Sequence, residues 1–240
     1  EKTIFEYEDI KGEALAVPVS NINPYLVDAP DLVLEKRNQP ICIVPTISYG
    51  SMANDDGHLL LDKEQRNALI AAEPATAPYI RRYMGAQEFL NNAERWCLWL
   101  KDISPSLMRS SNELRHRIEA VRKFRASSNR EATRNLAATP SLFGEDRQPL
   151  KSYLLLPKVS SENRPYMPIG FMPSEVIANG SALTISDSGH YEMGVLQSKM
   201  HMAWMRAVAG RMKSDYQYSA QIVYNNFPWP DIPEKLEPNQ

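Results

Sequence analysis

Lys213, Asp215 and Gln217 stand at alternate positions in a short span, RMKSDYQY, that also holds Arg211, Ser214, Tyr216 and Tyr218. In extended backbone, residues two apart point the same way. One face would then present an ammonium donor, a carboxylate acceptor and an amide that does both, with Ser214, Tyr216 and Tyr218 opposite. That kit suits base edges in a DNA groove: a lysine donates to guanine O6 and N7, and an aspartate accepts from the cytosine amino group. A solvated loop in which Lys213 and Asp215 simply pair would use the same residues. A second donor-rich stretch, 158–166, carries Lys158, Ser160, Ser161, Arg164 and Tyr166. Together with Arg211, Ser214 and Tyr216 these are groups of the type that hold backbone phosphates, although a plain polar hairpin has the same composition.

The elements that must position these groups follow from pattern. Met202, Met205, Val208 and Ala209 form an apolar stripe that stops at Gly210, which predicts a helix capped there by a glycine, with the chain turning into the polar span. Strands are expected at 153–156, 166–171 and 183–186, with the turn-rich SSENRP and ANGS between them. Upstream, TIFEYED and ALAVPVSNI alternate as short strands, and ICIVPTI (41–47) reads as a buried strand. Asp55, Asp56 and Gly57 form a hairpin turn; with His58 the acidic pair crowds too closely for one metal site. Asn23-Pro24-Tyr25 lacks the second proline of an amino-methyltransferase loop and reads as a turn.

Asp62 caps a helix over KEQRNALIAA, broken at Glu73-Pro74, and a second short helix is expected through Tyr79, Ile80 and Tyr83 to Gly85. RWCLWLKD (95–102) reads as a central strand with both faces covered, and Ser104-Pro105 opens the next helix. A long, mostly exposed helix is expected over 113–138. Its Arg115, Arg122, Arg125 and Arg130 could track phosphates or be merely solvated.

The chain has 240 residues and a net charge of −2, unlike the basic balance usual for a free-standing DNA-binding protein. The distribution is uneven: residues 1–75 hold six Lys/Arg against thirteen Asp/Glu, whereas 101–134 hold nine against four. One basic face and one acidic docking region would produce this asymmetry, as would a salt-bridged solvated helix. Cys42 and Cys97 lie in separate apolar runs, which suits buried thiols in a reducing compartment. No run approaches the roughly 18 apolar residues of a membrane helix, and a cytoplasmic setting without membrane partners is expected. The start at Glu1 and the polar end EKLEPNQ suggest a piece of a longer protein.

Four segments carry a family resemblance: RWCLWLKD (95–102), PKVSSENRPYMPIGF (157–171), HMAWMRAVAGRMKSDYQYS (201–219) and YNNFPWP (224–230). They resemble the target-recognition region of MmeI-like (Type IIL) restriction-modification enzymes, which are S-adenosylmethionine-dependent DNA adenine methyltransferases joined to a nuclease. The resemblance implies double-stranded DNA as partner, together with a methyltransferase domain of the same polypeptide. It also implies S-adenosylmethionine as cofactor of the complete protein, and specificity supplied here for methylation and cleavage carried out elsewhere. It further implies that a pair of charged residues two apart, matching Lys213 and Asp215, varies with the base recognised.

The chain itself lacks a glycine-rich methyl-donor loop, an Asn/Asp-Pro-Pro-aromatic tetrapeptide and a Pro-Asp plus acidic-x-Lys nuclease signature, so no cofactor and no catalytic residue is expected within it. The expected fold is α+β, a mixed sheet with a long exposed helix and helical additions. The expected division is a segment at 1–60 that follows the methyltransferase core and packs on the recognition domain, the DNA target-recognition domain itself at 61–230, and the start of a C-terminal extension at 231–240. An interaction or scaffold module, with Trp96, Trp99, Trp204 and Trp229 as core, is the contrasting reading; a stand-alone small-molecule enzyme is a third.

Overall fold

The computed structural model describes residues 2–9 and 11–231; the tail over 232–240 lies outside the described residues. The two alternating N-terminal segments pair as an antiparallel hairpin, β1 (Lys2–Glu6) and β2 (Leu15–Val19), with Lys2 opposite Val19. The expected strand over 41–47 is corrected. Only β3 (Ile47–Tyr49) pairs, because Pro40 and Pro45 cannot donate to a ladder. The preceding stretch is a strap: Ile41 N–H donates to the Asn225 carbonyl (2.9 Å), Cys42 and Val44 pack inward, and Ile43 is fully exposed.

β4 (Leu60–Leu61) leads into α1 (Lys63–Ala72). Asp62 accepts from Gln65 N–H (2.8 Å) and Gln65 reaches back to Asp62 N–H (3.1 Å), a full capping box. The helix expected through Tyr79, Ile80 and Tyr83 is instead a 3-10 turn, Pro74–Tyr79, followed by β5 (Ile80–Met84). Pairing with β6 (Trp96–Leu98) overrides the local helical spacing. Between them lies α2 (Ala86–Asn91).

Ser104 caps α3 (Pro105–Ser110), and the side chain of Glu73 accepts from Asn112 and Glu113 N–H at the start of α4 (Asn112–Ala126). The long helix over 113–138 is interrupted: α4 stops at Ala126 and a separate α5 (Glu131–Asn135) follows. Arg125 explains the stop. It is completely buried rather than on the exposed face with Arg115, Arg122 and Arg130. Its guanidinium donates to the carbonyls of Ala53, Asn54, Leu136, Thr139 and Leu142, at 2.7 to 3.0 Å, and so fastens the returning chain onto the end of α4.

The second half contains β7 (Tyr153–Pro157), β8 (Val159–Ser160), β9 (Gly170–Met172), β10 (Ile177–Ala178), β11 (Ala182–Ser186), α6 (His190–Leu196), α7 (Lys199–Val208), β12 (Gly210–Met212) and β13 (Asp215–Gln217), then a π-helical turn, Ala220–Tyr224. The strand expected over 166–171 pairs only from Gly170, since Pro165 and Pro168 interrupt the donors before it. Gly210 is not a left-handed helix cap: α7 ends at Val208, Ala209 is already extended, and Gly210 begins β12.

The architecture is α+β with three principal sheets. One runs β10-β5-β6-β4, mixed because β10 is parallel to β5; the second is antiparallel, β3-β11-β7-β9; the third is the small β12-β13-β8 sheet. Cys97 and Leu98 of β6 pack with Leu59, Leu114 and Val121 in one core. Leu154 and Leu156 pack with Met202, Met205, Tyr224 and Phe227 in another. Tyr153 and Leu155, on the opposite face of β7, join Met84, Ala178 and Ala182. β7 is thus buried on both faces and ties the two larger sheets together.

Candidate nucleic-acid interface

β12 and β13 form a tight hairpin whose two connecting residues are Lys213 and Ser214, with Met212 opposite Asp215, Arg211 opposite Tyr216 and Gly210 opposite Gln217. A two-residue hairpin turn matched to strand twist requires positive φ, and Lys213 supplies it at +58°. The extended run expected through 213 is therefore corrected. Lys213 sits at the exposed tip, and only Asp215 and Gln217 keep the alternating strand relationship. Directly opposed residues of an antiparallel pair share a face, so Met212, Asp215 and Gln217 lie on one side, and Arg211 and Tyr216 on the other. Tyr216 and Tyr218 are buried, at 5% and 2% exposure, and hold the hairpin to the second core. No ion pair joins Lys213 to Asp215 among the described residues, so both charges remain available.

Arg211 stacks over the Tyr216 ring at 3.9 Å and donates to the Ser214 carbonyl (2.8 Å), bracing the turn while staying exposed. Beside the hairpin, β8 pairs with β13, with Tyr216 opposite Ser160 and Gln217 opposite Val159. The Lys158 carbonyl accepts from Tyr218 N–H (2.7 Å), and its N–H donates to the Ser181 carbonyl (3.1 Å). Ser161 organises the following turn, accepting from Arg164 N–H at its carbonyl (3.2 Å) and from Asn163 N–H at its hydroxyl (3.3 Å). The two groups of residues picked out in the sequence thus meet on one three-stranded sheet.

Within that set, the structure separates surface from support. Ser214, Tyr166 and Arg211 are exposed, and Lys158, Ser161 and Arg164 are half-buried. Ser160 and Tyr216 are turned inward, because they share the face that meets the core; neither side chain projects as the sequence suggested. The buried Ser160 hydroxyl and Arg164 Nε have no hydrogen-bond partner among the described residues.

The sheet rests on an aromatic base. His201, fully buried on α7, places Nε2 3.0 Å from the Tyr218 hydroxyl and meets Phe227 edge-on at 4.5 Å. Burial pulls the His201 pKa down to about 4 and pushes the Tyr218 phenol up. In YNNFPWP, Asn226 donates to the Glu35, Gln221 and Ile222 carbonyls and accepts from Arg37 Nε, which straps the 35–41 stretch to this base.

One surface aromatic escaped the sequence reading. Tyr49, 42% exposed, lies with Lys158 Nζ 4.9 Å from its ring centre and Arg147 at 6.0 Å. No local signal announces it, since Tyr49 and Lys158 meet only through β11, which pairs with both β3 and β7. Among the described residues, no group of three or more His, Cys, Asp or Glu is placed to hold a metal ion, and no helix is long and apolar enough to cross a membrane.

Comparison with known proteins gives consistent results. The family described as MmeI, target recognition domain, matches residues 28–231. The chain is 37% identical over 214 residues to DNA methyltransferase A of Bacillus subtilis (strain 168), covering 89% of this chain and 24% of that protein. It also superposes on the Type IIL restriction-modification enzyme MmeI, solved in complex with DNA, with a TM-score of 0.91 and 45% identity. That match covers 98% of this chain and 31% of the solved one. The chain therefore spans less than a third of the relatives it matches.

Proposed function

This chain belongs to the MmeI target recognition domain family, and from that premise we propose that it reads the sequence of double-stranded DNA for a bacterial adenine methyltransferase and restriction enzyme. The observation that carries the reading is the β12-β13-β8 sheet. It sets the outward pair Asp215 and Gln217, with Lys213 at the tip, beside the donor-bearing loop over 158–166. Phosphate contacts fix the register of a protein on the duplex, and base-edge contacts supply discrimination. Lys158, Ser161, Arg164, Tyr166, Arg211 and Ser214 take the first role. Ser160 and Tyr216 contribute from beneath by shaping the strand. Lys213 donates to guanine O6 and N7, Asp215 accepts from the cytosine amino group, and Gln217 offers the amide pair that suits adenine.

Methyl transfer from S-adenosylmethionine and strand cleavage belong to other domains of the same polypeptide, which acts on cytoplasmic DNA. Residues 1–60 form the segment that follows the methyltransferase core and packs on the recognition domain, 61–230, through β3 and the 35–41 strap.

The test is Lys213→Glu combined with Asp215→Arg in the complete polypeptide, followed by sequencing of methylated sites in cells. One recognised base should change, because each good base contact is worth about 1–3 kcal/mol of discrimination. Intact methylation at an unaltered site would reduce this hairpin to scaffold.

A further inference from the structure

Tyr49 ends β3 at the edge of the second sheet, and the chain behind it is tightly held. Gly50 N–H donates to the Ala182 carbonyl (3.1 Å) and Ser51 N–H to the Ala178 carbonyl (2.7 Å). A Cβ added at Gly50 would fall 2.3 Å from the Asn179 carbonyl oxygen, so only glycine permits this approach of backbone to backbone. The ring therefore stands on a rigid base while remaining 42% exposed.

Two cations flank it. Arg147 is shared with Glu145, and its backbone N–H donates to the buried Ser51 hydroxyl (3.0 Å), so it mainly walls the ring. Lys158 differs: among the described residues it has no carboxylate partner, and its ammonium lies 4.9 Å from the Tyr49 ring centre. No hydrogen bond among the described residues engages the Tyr49 hydroxyl. An ammonium and a phenol are thus presented together, both donors, on a site that suits a compact anion. Because the Lys158 carbonyl accepts from Tyr218 N–H, this pair sits directly beside the hairpin.

We propose that Tyr49 and Lys158 together grip one backbone phosphate of the duplex, extending the hairpin's footprint along one strand. The inference rests on the DNA-reading function above and adds to it a residue, Tyr49, outside the two loops. The ring holds the lysine head in place by a cation–π contact, and its hydroxyl donates a second bond to the same phosphate.

The experiment measures affinity across a salt series in the complete polypeptide, on duplex carrying its methylated site and on a scrambled duplex. Lys158→Gln should weaken both about equally and lower the slope of log affinity against log salt by about 0.9. Tyr49→Phe, which keeps the ring, should weaken both about fivefold with the slope retained. Tyr49→Ala should lose about tenfold or more and flatten part of the slope, since the lysine is no longer held. Thermal melting of each variant controls for folding, and the Phe variant preserves the packing in any case. Wild-type binding with both Tyr49 variants indistinguishable from it would overturn the grip and leave the DNA-reading function standing. Absence of wild-type binding to either duplex at any salt would overturn that function, and the grip with it.

Discussion

Acidification should weaken the base on which the hairpin rests, and the size of the effect follows from His201. The imidazole is fully buried, Nδ1 has no partner among the described residues, and Nε2 meets only the Tyr218 hydroxyl. Burial disfavours the charged ring and lowers its pKa from 6.5 to about 4. Between those values the unfolded chain binds a proton that the folded chain does not, so stability rises with pH across the window. The contribution is complete above about pH 6.5 and is lost as pH falls toward 4, roughly 3 kcal/mol in all and about 2 kcal/mol by pH 5. Urea unfolding followed by tryptophan fluorescence at about pH 7 and about pH 5, on wild type and His201→Gln, isolates this group. Carboxylate contributions are common to both proteins and cancel in the comparison. The variant should start less stable yet lose about 2 kcal/mol less on acidification. Equal losses in the two proteins would refute the assignment.

Arg125→Met should destabilise by about 3 kcal/mol, measured by the same unfolding assay, because one buried and four partly buried carbonyls lose their charged donor. Arg125→Lys should recover only part of that, as an ammonium has three donors and no planar fork. Arg164→Ala in the complete polypeptide should weaken DNA binding about equally on every sequence and flatten the salt slope by roughly one contact; a changed recognition site with the slope intact would contradict its backbone role. Lys213→Gly should leave stability within about 1 kcal/mol, since glycine accepts positive φ freely, yet reduce discrimination at one base about tenfold or more.

Local rules were legible in the sequence and long-range ones were not. Asp62 and Ser104 announced helix starts because a cap is decided by neighbours within three residues. β7 and β11 were readable from dense runs of apolar and β-branched residues. The segment over 80–84 looked helical because its strand character comes from pairing with β6, which no nearby residue reveals. Arg125 looked like one more cation on a solvated face. Its burial depends on carbonyls contributed by segments on both sides of α4, far apart in the chain. The candidate interface was partly legible for the same reason: alternation told Tyr216 from Gln217, but the two-residue strand β8, which joins the loops, gives no pattern of its own.

The backbone at Lys213 bears on why the hairpin is built this way. A two-residue hairpin with positive φ at its first turn position is most easily made with glycine, asparagine or aspartate, and a lysine held there at +58° carries strain of order 1 kcal/mol or more. Nothing in the packing requires that side chain: it is exposed, and the turn is already braced by Arg211 on the Ser214 carbonyl. Strain kept at an exposed position without a packing role points to the chemistry of the side chain itself. Tyr216 and Tyr218 anchor the strand from the opposite face, while Asp215 and Gln217 contribute little to the core. Substitution on the outward face therefore leaves the anchoring face intact. On the proposed reading, exchange at Lys213 and Asp215 changes base preference without refolding the sheet that presents them, since neither side chain belongs to the second core.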